Sequence, residues 1–138
     1  MISIAEKVLF LKSVALFSDL PGRELASVAD VARERDFAAG EVMIEEGMPG
    51  GSLFLIVEGE AIVTRAGEEL ARRSSGDCIG EISVLDSEPR TATVTACVDM
   101  VVLEVMREDL DSLRAERPEV ARGIIRTLVK KLAEASRS

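Results

Sequence analysis

The chain has 138 residues, 47% hydrophobic and 30% charged, which is the size and balance of one soluble globular domain rather than a disordered chain. A net charge of −8 argues against a nucleic-acid partner, because backbone binding needs a basic surface that releases counterions; any phosphate bound here has to sit in a pocket where a few donors converge. The absence of histidine removes Ser-His-Asp and Cys-His nucleophile activation and the common His-containing metal sites, and two cysteines make no disulfide framework.

The opening stretch, MISIAEKVLFLKSVALF, is hydrophobic but interrupted by Glu6, Lys7 and Lys12, unlike a secretory signal. It reads as an amphipathic helix of a cytoplasmic protein, with Ile4, Val8 and Leu11, and with Leu9 and Ala15 nearby, at helical spacing. No segment is long and apolar enough to span a bilayer. The turn Ser18-Asp19-Leu20-Pro21-Gly22 leads into a second helix with Leu25, Val28, Ala29 and Ala32 along one face.

From Arg33 to Val105 the pattern changes to short β-rich runs separated by glycines. These are 41–44, 52–57, 61–65, 68–72, 91–96 and 100–105. Cys78 and Cys97 read as buried, reduced thiols, and Met43 and Met106 as fillers. The charge runs Arg72-Arg73 and Lys130-Lys131 read as solvated faces. Between two strands, Gly80–Leu85 looks like one helical turn followed by a loop, DSEPR. Arg107–Ala115 and Pro118–Ala135 read as helices, the last with Val120, Ile124, Leu128 and Leu132 at i, i+4 spacing. Many short strands flanked by helices predict a mainly β domain of the sandwich, barrel or jelly-roll kind. There is no internal repeat and no interdomain linker.

The chemistry concentrates in Gly76–Ala96. Gly80 permits close backbone approach, and a helix opening after it presents unpaired N–H groups to an anion. Glu81 at that helix start can accept hydrogen bonds from a ligand hydroxyl such as a ribose. Arg90 supplies a planar fork that fits two phosphodiester oxygens, and Thr91 adds a hydroxyl beside it. Together they describe a site for a sugar phosphate.

On these residues the chain resembles the cyclic-nucleotide-binding domain shared by the catabolite activator protein and the regulatory subunits of protein kinase A. Gly40-Glu41-Val42, Glu46-Gly47 and Leu55-Ile56-Val57-Glu58-Gly59 match the early strands. Gly80-Glu81-Ile82-Ser83 through Pro89-Arg90-Thr91-Ala92-Thr93-Val94 matches the phosphate-binding cassette, with Ile79 where a phenylalanine is common.

The resemblance implies a double-stranded β-helix, a jelly-roll-like β-roll, in one domain. Residues 1–32 would be N-terminal helices, 33–105 the roll with its cassette and short phosphate-binding helix at 80–92, and 106–138 the C-terminal helices. It also implies that Glu81 holds the ribose 2′-hydroxyl and Arg90 the cyclic phosphate. Gly80, Ile82 and Ser83 would serve the same sugar phosphate, and Thr91 would meet the phosphate or a guanine base. The expected ligand is cAMP ahead of cGMP, with no cofactor, no metal and no catalytic residue. Val129 and Leu132, with Ile125 as the competing choice, are read as apolar lid residues on a helix that moves over the base. A homodimer through the terminal helices, or effector parts of a longer protein, are the partners the sequence allows. The competing reading is a degenerate roll in which Glu81 and Arg90 pair with each other and the domain docks proteins.

Overall fold

The computed structural model describes residues 1–80 and 89–136. The chain forms two compact units, a helical one of Met1–Val31 with Glu108–Ser138 and a β one of Ala32–Arg107.

In the helical unit, α1 (Ile4–Leu11) starts at a capping box. Ser3 Oγ accepts from the Glu6 amide at 3.1 Å, and the Glu6 carboxylate accepts from the Ser3 amide at 3.0 Å. The helix is shorter than the hydrophobic opening suggests. Ile4 and Leu9 are exposed, while Leu11 and the following Val14, Leu16 and Phe17 are buried in successive turns. α2 (Gly22–Val31) follows Pro21 and buries Leu25, Val28 and Ala29 at helical spacing. α3 (Arg107–Glu116) buries Leu110 and Leu113. α4 (Pro118–Ser136) buries Val120 and Ile124, but the stripe fades to a half-buried Leu128 and an exposed Leu132. Polar ties bind the unit: Glu24 Oε2 accepts from Arg117 at 3.3 Å and Thr127 Oγ1 donates to the Ala15 carbonyl at 2.9 Å. Lys130 Nζ reaches Asp19 at 2.9 Å. Among the described residues, no helix is long and apolar enough to cross a membrane.

Among the described residues the β unit holds eight strands: β1 (Arg33–Phe37), β2 (Val42–Ile44), β3 (Ser52–Glu58), β4 (Glu60–Arg65), β5 (Glu68–Ser74), β6 (Cys78–Ile79), β7 (Thr93–Ala96) and β8 (Met100–Met106). They form two four-stranded antiparallel sheets, ordered β1-β8-β3-β6 and β2-β7-β4-β5. Side chains alternate across each strand, so every strand but the charged β5 sends at least one residue into a single core. Phe37, Ile44, Phe54, Ile56, Ala61, Ile79, Val94, Ala96, Met100 and Val102 fill it. Phe37 and Phe54 meet edge-on with centroids 5.7 Å apart.

Three strands depart from the sequence reading, the first being β6, which lies outside every expected run and pairs with β3. β1 precedes the first apolar run, and only Phe37 of its five residues is buried; its strand character comes from pairing with β8 along its whole length. β7 begins at Thr93 rather than Thr91, because Thr91 and Ala92 lie in a bend that follows Arg90.

Candidate functional site

The two sheets leave a recess lined by Ile44, Val63, Ile79 and Val94 on its apolar side. Gly80, Arg90, Thr91, Ala92, Arg73 and Cys78 complete the described lining. Its volume of about 150 Å³ is roughly ten times what a single enclosed water needs, so it admits an organic group rather than one ion.

Arg90 is the centre of the site. The backbone sets it first: its N–H donates to the Met48 carbonyl at 2.8 Å, and its own carbonyl accepts from Gly47 at 2.9 Å. This two-way exchange fastens the end of the cassette to the turn between β2 and β3. The side chain then turns inward and is only 7% exposed. Nη2 donates to the Ser52 carbonyl at 2.7 Å and Nη1 to the Gly80 carbonyl at 3.3 Å.

Gly80 follows β6 with φ +86°, a conformation that disfavours any side chain. A Cβ there would collide with Arg90 Nη1 and stand 3.3 Å from the Ser52 carbonyl oxygen. Glycine therefore serves twice at this position, for the turn and for the approach of the guanidinium.

Burial pulls the Arg90 guanidinium below its ordinary pKa, and the nearby carboxylate of Glu104 opposes that shift. Arginine nevertheless keeps its charge. Among the described residues it forms no salt bridge, and its hydrogen-bond partners are neutral carbonyls. A buried guanidinium set on a recess can pair with an anion through its planar fork.

Of the residues read from the sequence, Gly80, Arg90 and Thr91 meet at this recess. Glu81, Ile82 and Ser83 lie outside the described residues. Thr91 is exposed, and its carbonyl accepts from Arg65 Nε at 2.9 Å. Val129 and Leu132, and the competing Ile125, are all exposed on α4.

Besides the apolar Ile44 and Val63, two lining residues escaped the sequence reading. Arg73, read as part of a solvated charge run, stands on the recess, and so does the half-buried Cys78. The signal for Arg73 was the period of β5. Ala71 pairs with Val63 and Arg73 with Ala61, so Arg73 shares the face of a strand whose partners turn toward the core.

The sequence pattern described as "Cyclic nucleotide-binding domain" matches residues 34–117. A cAMP-dependent protein kinase regulatory subunit from Hypocrea atroviridis is 37% identical over 93 residues, covering 67% of this chain and 20% of that protein. The chain thus spans a fifth of that relative's length. Among solved structures, the N-terminal domain of a transcriptional regulator from Streptomyces coelicolor A3(2) superposes with a TM-score of 0.82 at 30% identity, over 92% of both chains. The regulatory domain of Toxoplasma gondii PKA, co-crystallised with cAMP, gives 0.79 at 26% identity, over 95% of this chain and 50% of that one. The β-roll expected from the sequence is the fold of these neighbours.

Proposed function

Because this chain belongs to the cyclic nucleotide-binding domain family, we propose that it is a regulatory sensor in which Arg90 clamps the cyclic phosphate of cAMP. One observation carries the reading: a 7% exposed guanidinium, held by two carbonyl oxygens, lines a recess whose apolar side is formed by Ile44, Val63, Ile79 and Val94. The apolar wall suits a purine and the cation suits its phosphodiester. Glu81 is assigned the ribose hydroxyl, and Ile82 and Ser83 join Gly80 around the sugar phosphate. Thr91 stands beside the anion, and Arg73 adds a second cation at the rim. cAMP is placed ahead of cGMP because the matched regulatory subunit is a cAMP-dependent one.

The signal is assigned to α4. Ile125, Val129 and Leu132 present an exposed apolar row at i, i+4, i+7, the kind of face that closes over a base. Ligand shifts that helix only through different affinities for its two positions. The chain is read as a single cyclic-nucleotide-binding domain whose partners are a second copy or effector parts of a longer protein. We assign it to the cytoplasm, in keeping with two cysteines that are not joined in a disulfide.

Calorimetric titration with cAMP and with cGMP tests the proposal. The expected result is saturable binding, tighter for cAMP, weakened about 100-fold or more in Arg90→Ala through loss of a bidentate charged contact. Hydrogen exchange in residues 118–136 is expected to slow on saturation. Absence of binding to either nucleotide by folded, ligand-free protein would replace the sensor with a docking domain.

A further inference from the structure

We propose that Glu104, which lies outside the recess lining, is a positioning residue that sets the affinity of the anion site through Ser52. This inference rests on the reading of Arg90 as the phosphate-binding group.

Ser52 opens β3, directly after Gly50-Gly51, and is 5% exposed. It uses two polar groups in opposite directions. Its carbonyl accepts from Arg90 Nη2 at 2.7 Å, and its hydroxyl donates to Glu104 Oε2 at 2.7 Å. The ladder makes this reach natural. Glu104 of β8 pairs with Phe54, so Ser52, two residues away, is its diagonal neighbour on the same face. Glu104 is in turn held from the far side. Arg35 Nη1 lies 3.3 Å and 3.4 Å from its two oxygens, and the Arg35 guanidinium rests 4.6 Å from the centroid of Phe37 and 5.9 Å from that of Phe54. A chain of contacts therefore runs from two core aromatics through Arg35, Glu104 and Ser52 to the guanidinium of Arg90.

Glu104 acts on Arg90 in two opposing ways. Its negative charge disfavours a second anion nearby, while its hydrogen bond holds the Ser52 carbonyl where Arg90 needs it. Arg35 neutralises the carboxylate at 3.3 Å, which reduces its field at the recess. The hydroxyl bond is charge-assisted, and the Glu104 side chain is only 16% exposed. Without it, the strand start behind two glycines is free to shift the carbonyl that aims the guanidinium. Positioning wins, so removal of the Glu104 charge weakens nucleotide binding rather than strengthening it.

The test uses the whole chain with Glu104→Gln, Ser52→Ala and the double variant, titrated calorimetrically with cAMP and cGMP. Each single variant is expected to bind about tenfold more weakly, the effect of losing one charge-assisted hydrogen bond. The double variant is expected to be no weaker than the worse single one, because both break the same link. The Arg90 Nε–Hε NMR signal of the free protein is expected to move in Glu104→Gln, which a carboxylate serving stability alone would not cause. If Glu104→Gln fails to fold, Ser52→Ala carries the same expectation. Wild-type affinity in these variants, or losses that add, would overturn the inference while leaving the sensor reading intact. Wild-type protein that binds neither nucleotide would overturn both, and Arg90→Ala separates the cases.

Discussion

Gly80→Ala joins backbone strain and anion binding in one substitution, and Gly67→Ala separates them. Both glycines have positive φ, +86° at Gly80 and +82° at Gly67, so each alanine incurs the left-handed penalty of about 1–2 kcal/mol. At Gly67 nothing lies within 4 Å of the new Cβ, and the cost ends there. At Gly80 the Cβ meets Arg90 Nη1. That guanidinium is buried and pinned at 2.7 Å and 3.3 Å to two carbonyls, so moving it sacrifices hydrogen bonds to a charged group worth about 1.5–3 kcal/mol. Gly67→Ala should therefore lose about 1 kcal/mol and Gly80→Ala about 3 kcal/mol. At roughly 4 °C per kcal/mol for a chain of this size, the melting temperatures should fall by about 4 °C and 12 °C. The chain has no Trp or Tyr, so far-UV circular dichroism and calorimetry are the suitable probes. Nucleotide affinity should be unchanged in Gly67→Ala and reduced about 10- to 100-fold in Gly80→Ala. Equal melting temperatures for the two variants, with equal wild-type affinity, would refute the claim that Gly80 makes room for Arg90.

Two further outcomes test the units separately. Ala66 carries φ +52° in the β4–β5 turn, so Ala66→Gly should stabilise the β unit by about 0.5 kcal/mol after the added unfolded-state entropy is counted, read as a rise in melting temperature of about 2 °C. In the helical unit, the hydrogen bond and charge of Lys130 lower the Asp19 carboxyl below its ordinary value of 3.8. A depressed folded-state pKa contributes stability above the unfolded value and loses it as pH falls through the lower folded one. Asp19→Asn should melt below wild type well above pH 3.8, and the two curves should converge below it.

How much the sequence disclosed depended on which physical signal each element used. α3 and α4 were legible to within a residue, because Pro118 marks a helix start and Val120 and Ile124 repeat at helical spacing. β3 was legible as an unbroken apolar run, since five successive residues are buried. β1 carries no such pattern; Arg33-Glu34-Arg35-Asp36 is charged and exposed, and partnership with β8 makes it a strand. The N-terminal stripe misled in the other direction, for hydrophobicity at Ile4 and Leu9 did not mean burial. Gly80 and Arg90 were legible through local chemistry, whereas the Ser52 and Glu104 contacts join residues 52 positions apart and exist only once β3 and β8 pair. Arg73 shows the same limit: it is exposed, as a pair of adjacent arginines suggests, and only register shows that it stands at the recess.

Register also resolves the apparent conflict between an acidic chain and an anionic ligand. The net charge of −8 is a property of the whole surface, and in physiological salt exposed charges are screened beyond about 8 Å. In the proposed reading, what a phosphate would meet among the described residues is local: the buried Arg90 and, at the rim, Arg73. The nearby carboxylate of Glu104 is already engaged by Arg35 and Ser52. Raising the ionic strength should therefore weaken binding far less than it weakens a protein that grips phosphate with surface lysines, because little of the attraction passes through solvent. The acidic exterior and the cationic recess are compatible because the fold separates them by burial.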